Sequence, residues 1–231
     1  VPLKAEQIHR VLQEVRSAVG SHVRLHLLGF AKADNIHEFM DYGIASFDST
    51  SPMIRAFKDT KSNFFHLSES GSIEYFTSIR VPQALENRQF NYAVQEGRYK
   101  QEELQNMEHN ALASLRSYAE ENCDLEEALS AILTYTEAFL RSKTLTEVSV
   151  QKKLKDFEAA YRRTLECRPW RDCQEALCRG QSVEVGIFRA NNRNRRRGMH
   201  NLTVYYEYFN RLKEKHGHEE NQLYRYSGAA E

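Results

Sequence analysis

No run of the chain approaches the roughly 18 apolar residues that a helix needs to cross a bilayer, so the sequence offers no membrane-spanning helix. The opening stretch "VPLKAEQIHR" lacks the basic region followed by an apolar one that marks a secretory signal, and the expected location is the cytoplasm. A charge excess of either sign is also missing. Lys plus Arg number 32 and Asp plus Glu number 32, so net charge selects no partner and only the local distribution informs. Cysteine is scarce: four in 231 residues cannot make the disulfide framework of a small secreted domain. With four prolines and ten glycines, no linker or domain boundary is marked by composition, and no internal repeat is visible.

What is present suffices for a folded core. At 41% hydrophobic residues, the chain can build one large domain or two small ones. Ile8, Val11, Leu12, Val15 and Val19 recur at helical spacing before Gly20, predicting a helix over residues 4–19. "VRLHLLGF" then reads as a strand, Asp34 to Met40 as a short helix ended by Gly43, and "IASFDS" as a second buried strand. Helix, strand, short helix, strand is the rhythm of parallel α/β architecture, where ligands gather at the C-terminal ends of strands.

From residue 63 the texture changes. "FFHLSESGSIEYFTSIRVP" predicts a hairpin around a Ser-Gly turn. Three amphipathic helices follow, on the stripes Leu104 to Tyr118, Leu125 to Leu140 and Val150 to Leu165, with Asp124 and Glu127 near a capping box at the start of the second. "VEVGIF" reads as a further strand, followed by an arginine-rich loop and the aromatic segment "LTVYYEYF".

Three features stand out chemically. Three of the four cysteines fall between Cys167 and Cys178, a clustering that reads as metal binding first. Cys173, Cys178 and His200 supply three ligands of a tetrahedral zinc site. The fourth is open between Glu175 and Cys167, with ordinary buried thiols or a lost metal as the alternatives. The second feature is "FRANNRNRRR", which packs Arg189, Arg193, Arg195, Arg196 and Arg197 among Asn191, Asn192 and Asn194 with no acid. A solvated surface is the plain reading. Interleaved asparagine and arginine favour a loop that bonds nucleic-acid phosphates and base edges. The third is Asp48, placed where the second strand emerges, followed by Ser49, Thr50, Ser51 and Pro52. An acid there ordinarily caps a helix or makes a turn.

The stretch "LHLLGFAKADNIHEFMDYGIASFDSTSP" resembles the tRNA-guanine transglycosylase family. His26, Leu28 and Gly29 match the family's seventh-strand turn, and Gly43, Ile44, Phe47, Asp48 and Pro52 match its eighth-strand segment. Ala45 stands where the family has an acid, and Met53 and Ile54 replace its Thr-Arg, with Arg55 just beyond. "CQEALC" with His200 resembles the family's Cys-x-Cys-x-x-Cys and distal histidine, with Glu175 in place of the middle cysteine. "FDSTSP" with "RAFKD", and "IFRANNRNRRRGMHN", look most like the branch that places 7-deazaguanines in DNA.

The resemblance implies an α/β fold: the last two strands of a (β/α)8 barrel over residues 1–62, a hairpin and helical insertion over 63–166, and a zinc-binding, arginine-rich subdomain over 167–231. It implies that Asp48 is the nucleophile of a base exchange that replaces guanine by a 7-deazaguanine such as 7-cyano-7-deazaguanine. The substrate is DNA in preference to tRNA, and the sugar is held on Asp48 as a covalent intermediate. Gly29, Arg55, Arg189, Asn192, Arg193, Arg195, Arg196 and Arg197 are the substrate-binding candidates. Cys173, Glu175, Cys178 and His200 are the zinc candidates. The family's Asp-Ser-Gly-Gly-Phe segment, with its general base, and its glycine-rich pocket segments are not in the sequence, which opens on Val1 with a helix under way. The expectation is therefore the C-terminal part of a transglycosylase, inactive alone and completed by a missing N-terminal half or partner chain. The alternatives are a non-catalytic nucleic-acid-binding subunit and a purely structural relic.

Overall fold

The computed structural model describes residues 4–30, 33–171, 173, 176 and 178–227. Helix α1 (Ala5–Ala18) leads into strand β1 (Leu25–Leu27), a 3-10 segment (Ala33–Tyr42) and strand β2 (Ile44–Phe47). Helix α2 (Ser51–Lys58) follows, then β3 (Phe64–Leu67), β4 (Ile73–Phe76) and β5 (Ile79–Arg80). Helices α3 (Arg88–Gln95), α4 (Gln101–Ala119), α5 (Leu125–Arg141) and α6 (Glu147–Cys167) form the middle of the chain. Strand β6 (Ile187–Phe188) and a long helix α7 (Asn191–Ser227) complete it. The protein is mixed α/β and mostly helical.

The strands form three two-stranded sheets: β1 with β2 parallel, β3 with β4 antiparallel, and β5 with β6 parallel. The predicted hairpin is β3–β4. The predicted strand "VEVGIF" is mostly a 3-10 turn (Ser182–Gly186), with only Ile187 and Phe188 extended. That turn buries Val183 and Val185 against the helices, and local apolar content alone does not distinguish the two conformations.

The helical stripes pack as their spacing predicts. Leu104, Leu115, Ile132, Tyr135, Tyr161 and Leu165 are buried in one core with Phe64, Phe76, Ile79 and Ile187. Each such side chain contributes about 1.5–3 kcal/mol by leaving water. Asp124 caps α5 by accepting from Glu127 N at 2.8 Å, Thr146 caps α6, and Asn87 caps α3.

A second core of Leu12, Phe30, Ile36, Phe39 and Tyr205 lies under β1–β2. Around it pack Ile8, Leu27, Ile44, Phe47, Tyr208, Phe209 and Leu212. Arg16 fixes the entry to β2, its guanidinium donating to the Tyr42 and Gly43 carbonyls. Gly43 has φ +66°, a left-handed backbone that favours glycine, and a Cβ there would also displace the Arg16 guanidinium, 2.9 Å away.

The arginine-rich stretch is not a loop. It forms the first turns of α7, and its inward face is polar: Asn194, Arg197, His200 and Asn201 are all buried. The spacing i, i+3, i+7 is ordinary for a helix, but charged and amide side chains conceal it. Arg197 donates to the Ala56 carbonyl at 2.7 Å, the Ile187 carbonyl at 3.1 Å and Asn194 Oδ1 at 2.8 Å, so it satisfies backbone acceptors at the end of α2 and in β6. Asn201 donates to the Pro52 and Asn63 carbonyls and accepts from Phe65 N–H. Burial and, next, nearby Arg80 disfavour the Arg197 charge. Replacing Arg197 with leucine strands two buried carbonyls, and the expected loss is about 3–5 kcal/mol. Thermal unfolding checks it. Arg197→Lys recovers little of this loss, because one ammonium cannot reproduce the planar fork.

Candidate active site and metal centre

Strands β1 and β2 pair as Leu25 with Ile44, His26 with Ser46 and Leu27 with Phe47, with a register shift after the first pair. The extra residue is Ala45. This bulge lets Ile44 and Phe47, three apart, both face the aromatic core, and leaves Ala45 and Ser46 exposed on the other side. His26 shares that exposed face, and Asp48 stands just past the strand's C-terminal end.

Asp48 does not cap α2, whose N-terminal residue Thr50 makes no side-chain capping bond. Instead, its Oδ1 accepts from Gly29 N–H at 3.0 Å and lies 3.2 Å from His26 Nε2, while His26 Nδ1 lies 2.8 Å from Ser46 Oγ. An ionised carboxylate only accepts, so Nε2 carries a proton towards Asp48, while Nδ1 faces the Ser46 hydroxyl. Gly29 has φ +62°, and this left-handed turn, cheap only for glycine, points its N–H at the carboxylate. The side chain remains about half exposed, and both of these bonds fall on Oδ1.

The Gly29 N–H holds the Asp48 carboxyl below its ordinary 3.8. Desolvation opposes this, and the His26 hydrogen bond and charge reinforce it. A depressed carboxylate pKa means ionisation throughout the neutral range. The stabilisation is present above the unfolded value and is lost as pH falls through the folded one. In His26→Gln the Asp48 carboxyl is expected to titrate at higher pH, read by carbon-detected NMR. An unchanged midpoint removes His26 from this role.

The Cys173, Cys178 and His200 ligand atoms lie within 4.8 Å of one another. His200 Nδ1 is 3.1 Å from Cys173 Sγ and 3.3 Å from Cys178 Sγ. Tetrahedral zinc would set these separations at about 3.5 Å, from Zn–S near 2.3 Å and Zn–N near 2.0–2.1 Å, so the three atoms fit a metal with small adjustment. His200 donates Nε2–H to the Phe65 carbonyl at 2.7 Å, which leaves Nδ1 unprotonated and aimed at the sulfurs. The ring is buried against Phe64. Cys167, exposed at the end of α6, does not join the cluster, which removes it as the fourth ligand. Glu175 lies outside the described residues.

Set against curated proteins, the chain is 37% identical over 206 residues to a DNA-guanine transglycosylase of Salmonella montevideo. The chain is similar to that transglycosylase over most of its own length. The match covers 89% of this chain and 46% of that protein, so the chain spans about half the length of the relative it matches. No protein-family model matches it.

In the structure the substrate-binding candidates scatter. Gly29 touches Asp48 directly. Arg55, on α2, packs against the hairpin, its guanidinium 4.7 Å from the Tyr75 ring centre and 5.2 Å from that of Phe65, with Asp59 3.8 Å away. Arg189 pairs with Glu108, Arg193 with Glu184 and Arg196 with Gln181. Arg197 is fully buried and cannot reach a phosphate. Asn192 and Arg195 remain exposed on α7, and Asn192 lines a cleft of about 440 Å3 with Arg189, Glu86 and Asn87. Sequence reasoning gave His26 no role and passed over Ser46; the signal for both is the alternation that puts them on Asp48's side of the strands.

Proposed function

We propose that this chain supplies the nucleophile and the metal-bound module of an enzyme that exchanges guanine in DNA for a 7-deazaguanine. The observation that carries the reading is the half-exposed Asp48 carboxylate at the C-terminal end of a parallel strand, fixed through Oδ1 by Gly29 and His26. Oδ2 is then the oxygen that attacks C1′. The C1′–N9 bond breaks, its electron pair leaves with guanine, and an Asp48 ester of the sugar forms. The incoming deazaguanine nitrogen attacks C1′ in turn and releases the carboxylate. The transition state is oxocarbenium-like, so an anion held at C1′ stabilises it before the bond forms.

The sheet supports the same reading. A parallel pair is ordinarily buried on both faces, yet among the described residues only one face of β1–β2 is packed, and the face with His26, Ser46 and Asp48 is open. In a (β/α)8 barrel that face points inward. The remaining strands come from the rest of the protein or from a partner chain. The metal is zinc on Cys173, Cys178 and His200, with Glu175 the candidate for the fourth position. When bound, zinc ties the start of α7 to the preceding turn and takes no part in the exchange. The division into a barrel segment over 1–62, an insertion over 63–166 and a metal subdomain over 167–231 belongs to this proposal, as does a cytoplasmic location. Among the described residues, no helix is long and apolar enough to cross a membrane.

The deciding experiment supplies radiolabelled guanine to the full-length protein with DNA or with tRNA. Incorporation into DNA is expected. Incorporation into tRNA alone overturns the substrate, and incorporation into neither overturns the activity.

A further inference from the structure

A cleft of about 740 Å3 opens between the end of α2, β5, the end of α5 and α6. None of its lining residues belongs to the Asp48 or metal sets. Six cations line it, Lys61, Arg80, Lys143, Lys153, Lys155 and Arg163, against one acid, Asp156. Elsewhere on the surface arginines find partners: Arg116 and Arg193 pair with Glu184, Arg141 with Glu137 and Glu147, Arg162 with Glu126, Arg168 and Arg171 with Glu121. Among the described residues, Arg163 has only Glu74 at 4.0 Å, and the other five cleft cations have no ion-pair partner. Mutual repulsion among six cations costs stability unless an anion fills the space between them.

Aromatic rings hold three of these cations in place. The Arg80 guanidinium lies 4.6 Å from the Phe188 ring centre and 5.8 Å from that of Phe139, Lys143 Nζ is 4.1 Å from the Phe139 centre, and Arg163 is 4.3 Å from that of Phe76. Arg163 also donates to the Tyr75 carbonyl at 2.6 Å. Burial, then Arg80 and Lys153, lower the Lys143 pKa, as expected of a site awaiting a counter-charge. The ten residue-to-residue steps from Lys153 to Arg163 rise about 15 Å along α6, roughly four steps of a nucleic-acid strand at 3.4 Å each. A single small anion would leave most of that row unpaired. Helix α2, about 12 Å long, separates the Asp48 segment from Thr60 and Lys61 at the cleft's edge.

We infer that this cleft is a track for the phosphodiester backbone of the DNA strand presented to Asp48. The choice of DNA rests on the proposed exchange function; the polyanion rests on the cleft itself. The test combines Lys61→Gln, Lys153→Gln and Lys155→Gln, all exposed side chains, in the full-length protein. Lys4→Gln, Arg10→Gln and Lys152→Gln together are the charge-matched control. Binding of fluorescent single-stranded DNA is followed by anisotropy across a salt series. Three lost phosphate contacts predict a slope of log K against log salt shallower by about two, and affinity at 0.15 M salt weaker by roughly 10- to 100-fold. The control should keep the wild-type slope. Equal losses in both sets, or none in the cleft set, overturn the track. Tighter cleft-dependent binding of an RNA of the same sequence overturns DNA as its occupant. Guanine exchange separates the two proposals: normal exchange at wild-type DNA affinity in the cleft variant sinks the track alone. Cleft-dependent DNA binding by a wild-type protein that exchanges nothing sustains the track and sinks the activity.

Discussion

Asp48→Asn is expected to lower base exchange by roughly 10^4-fold or more, as removal of a covalent nucleophile does elsewhere, while leaving the fold intact. The amide has the shape of the carboxylate, and its oxygen still accepts from Gly29 N–H and, with the ring in the same tautomer, from His26. The side chain is half exposed, so no buried partner is stranded. What disappears is the negative charge: the neutral oxygen neither bonds C1′ effectively nor stabilises the cationic sugar. Exchange of labelled guanine in DNA by the full-length protein measures the rate, and mass spectrometry of the denatured reaction detects the sugar ester on wild type alone. A variant within tenfold of wild type would remove Asp48 from the chemistry.

Stripping the metal should have the largest effect on stability. A structural site contributes folding free energy directly, because the unfolded chain does not assemble the ligands. Here two sulfurs and Nδ1 of a buried imidazole converge within 4.8 Å of one another. Losing about 5 kcal/mol of metal binding would lower the unfolding midpoint by roughly 10–20 °C in a chain of this size. Cys178→Ser should reproduce the effect of a chelator, and the chelator should then do nothing further to the variant. Elemental analysis should give close to one zinc per chain. A metal-free protein whose melting ignores chelator contradicts the site.

The helices α4, α5 and α6 were legible because Leu, Ile and aromatic residues recur every three to four positions, and burial follows that period directly. Helix α7 concealed its start. The side it turns inward carries Asn194, Arg197, His200 and Asn201, chosen to bond backbone carbonyls and N–H groups, so hydrophobicity gives no periodic signal there. The metal trio could be read from cysteine spacing with a distal histidine, since coordination needs only that those atoms converge. The His26 and Ser46 contacts to the site depend on a one-residue bulge, which alternation hints at and cannot locate. The basic cleft was unreadable because Lys61, Arg80, Lys143 and the α6 cations come from four separate elements, each ordinary alone. Three-dimensional adjacency, unlike periodicity, leaves no local trace.

Five residues after His200 of the candidate metal trio, α7 presents Tyr205, whose ring meets Phe47 edge-on at 6.2 Å, and Phe209 does so at 5.0 Å. Phe47 is Asp48's neighbour in sequence. One unbroken rod therefore meets the cysteine turn at one end and braces the floor beneath the Asp48 carboxylate further along. Severing the polypeptide at residue 166 would strip that floor of its support, so the Asp48 segment and the cysteine–histidine trio travel together as a single mechanical unit.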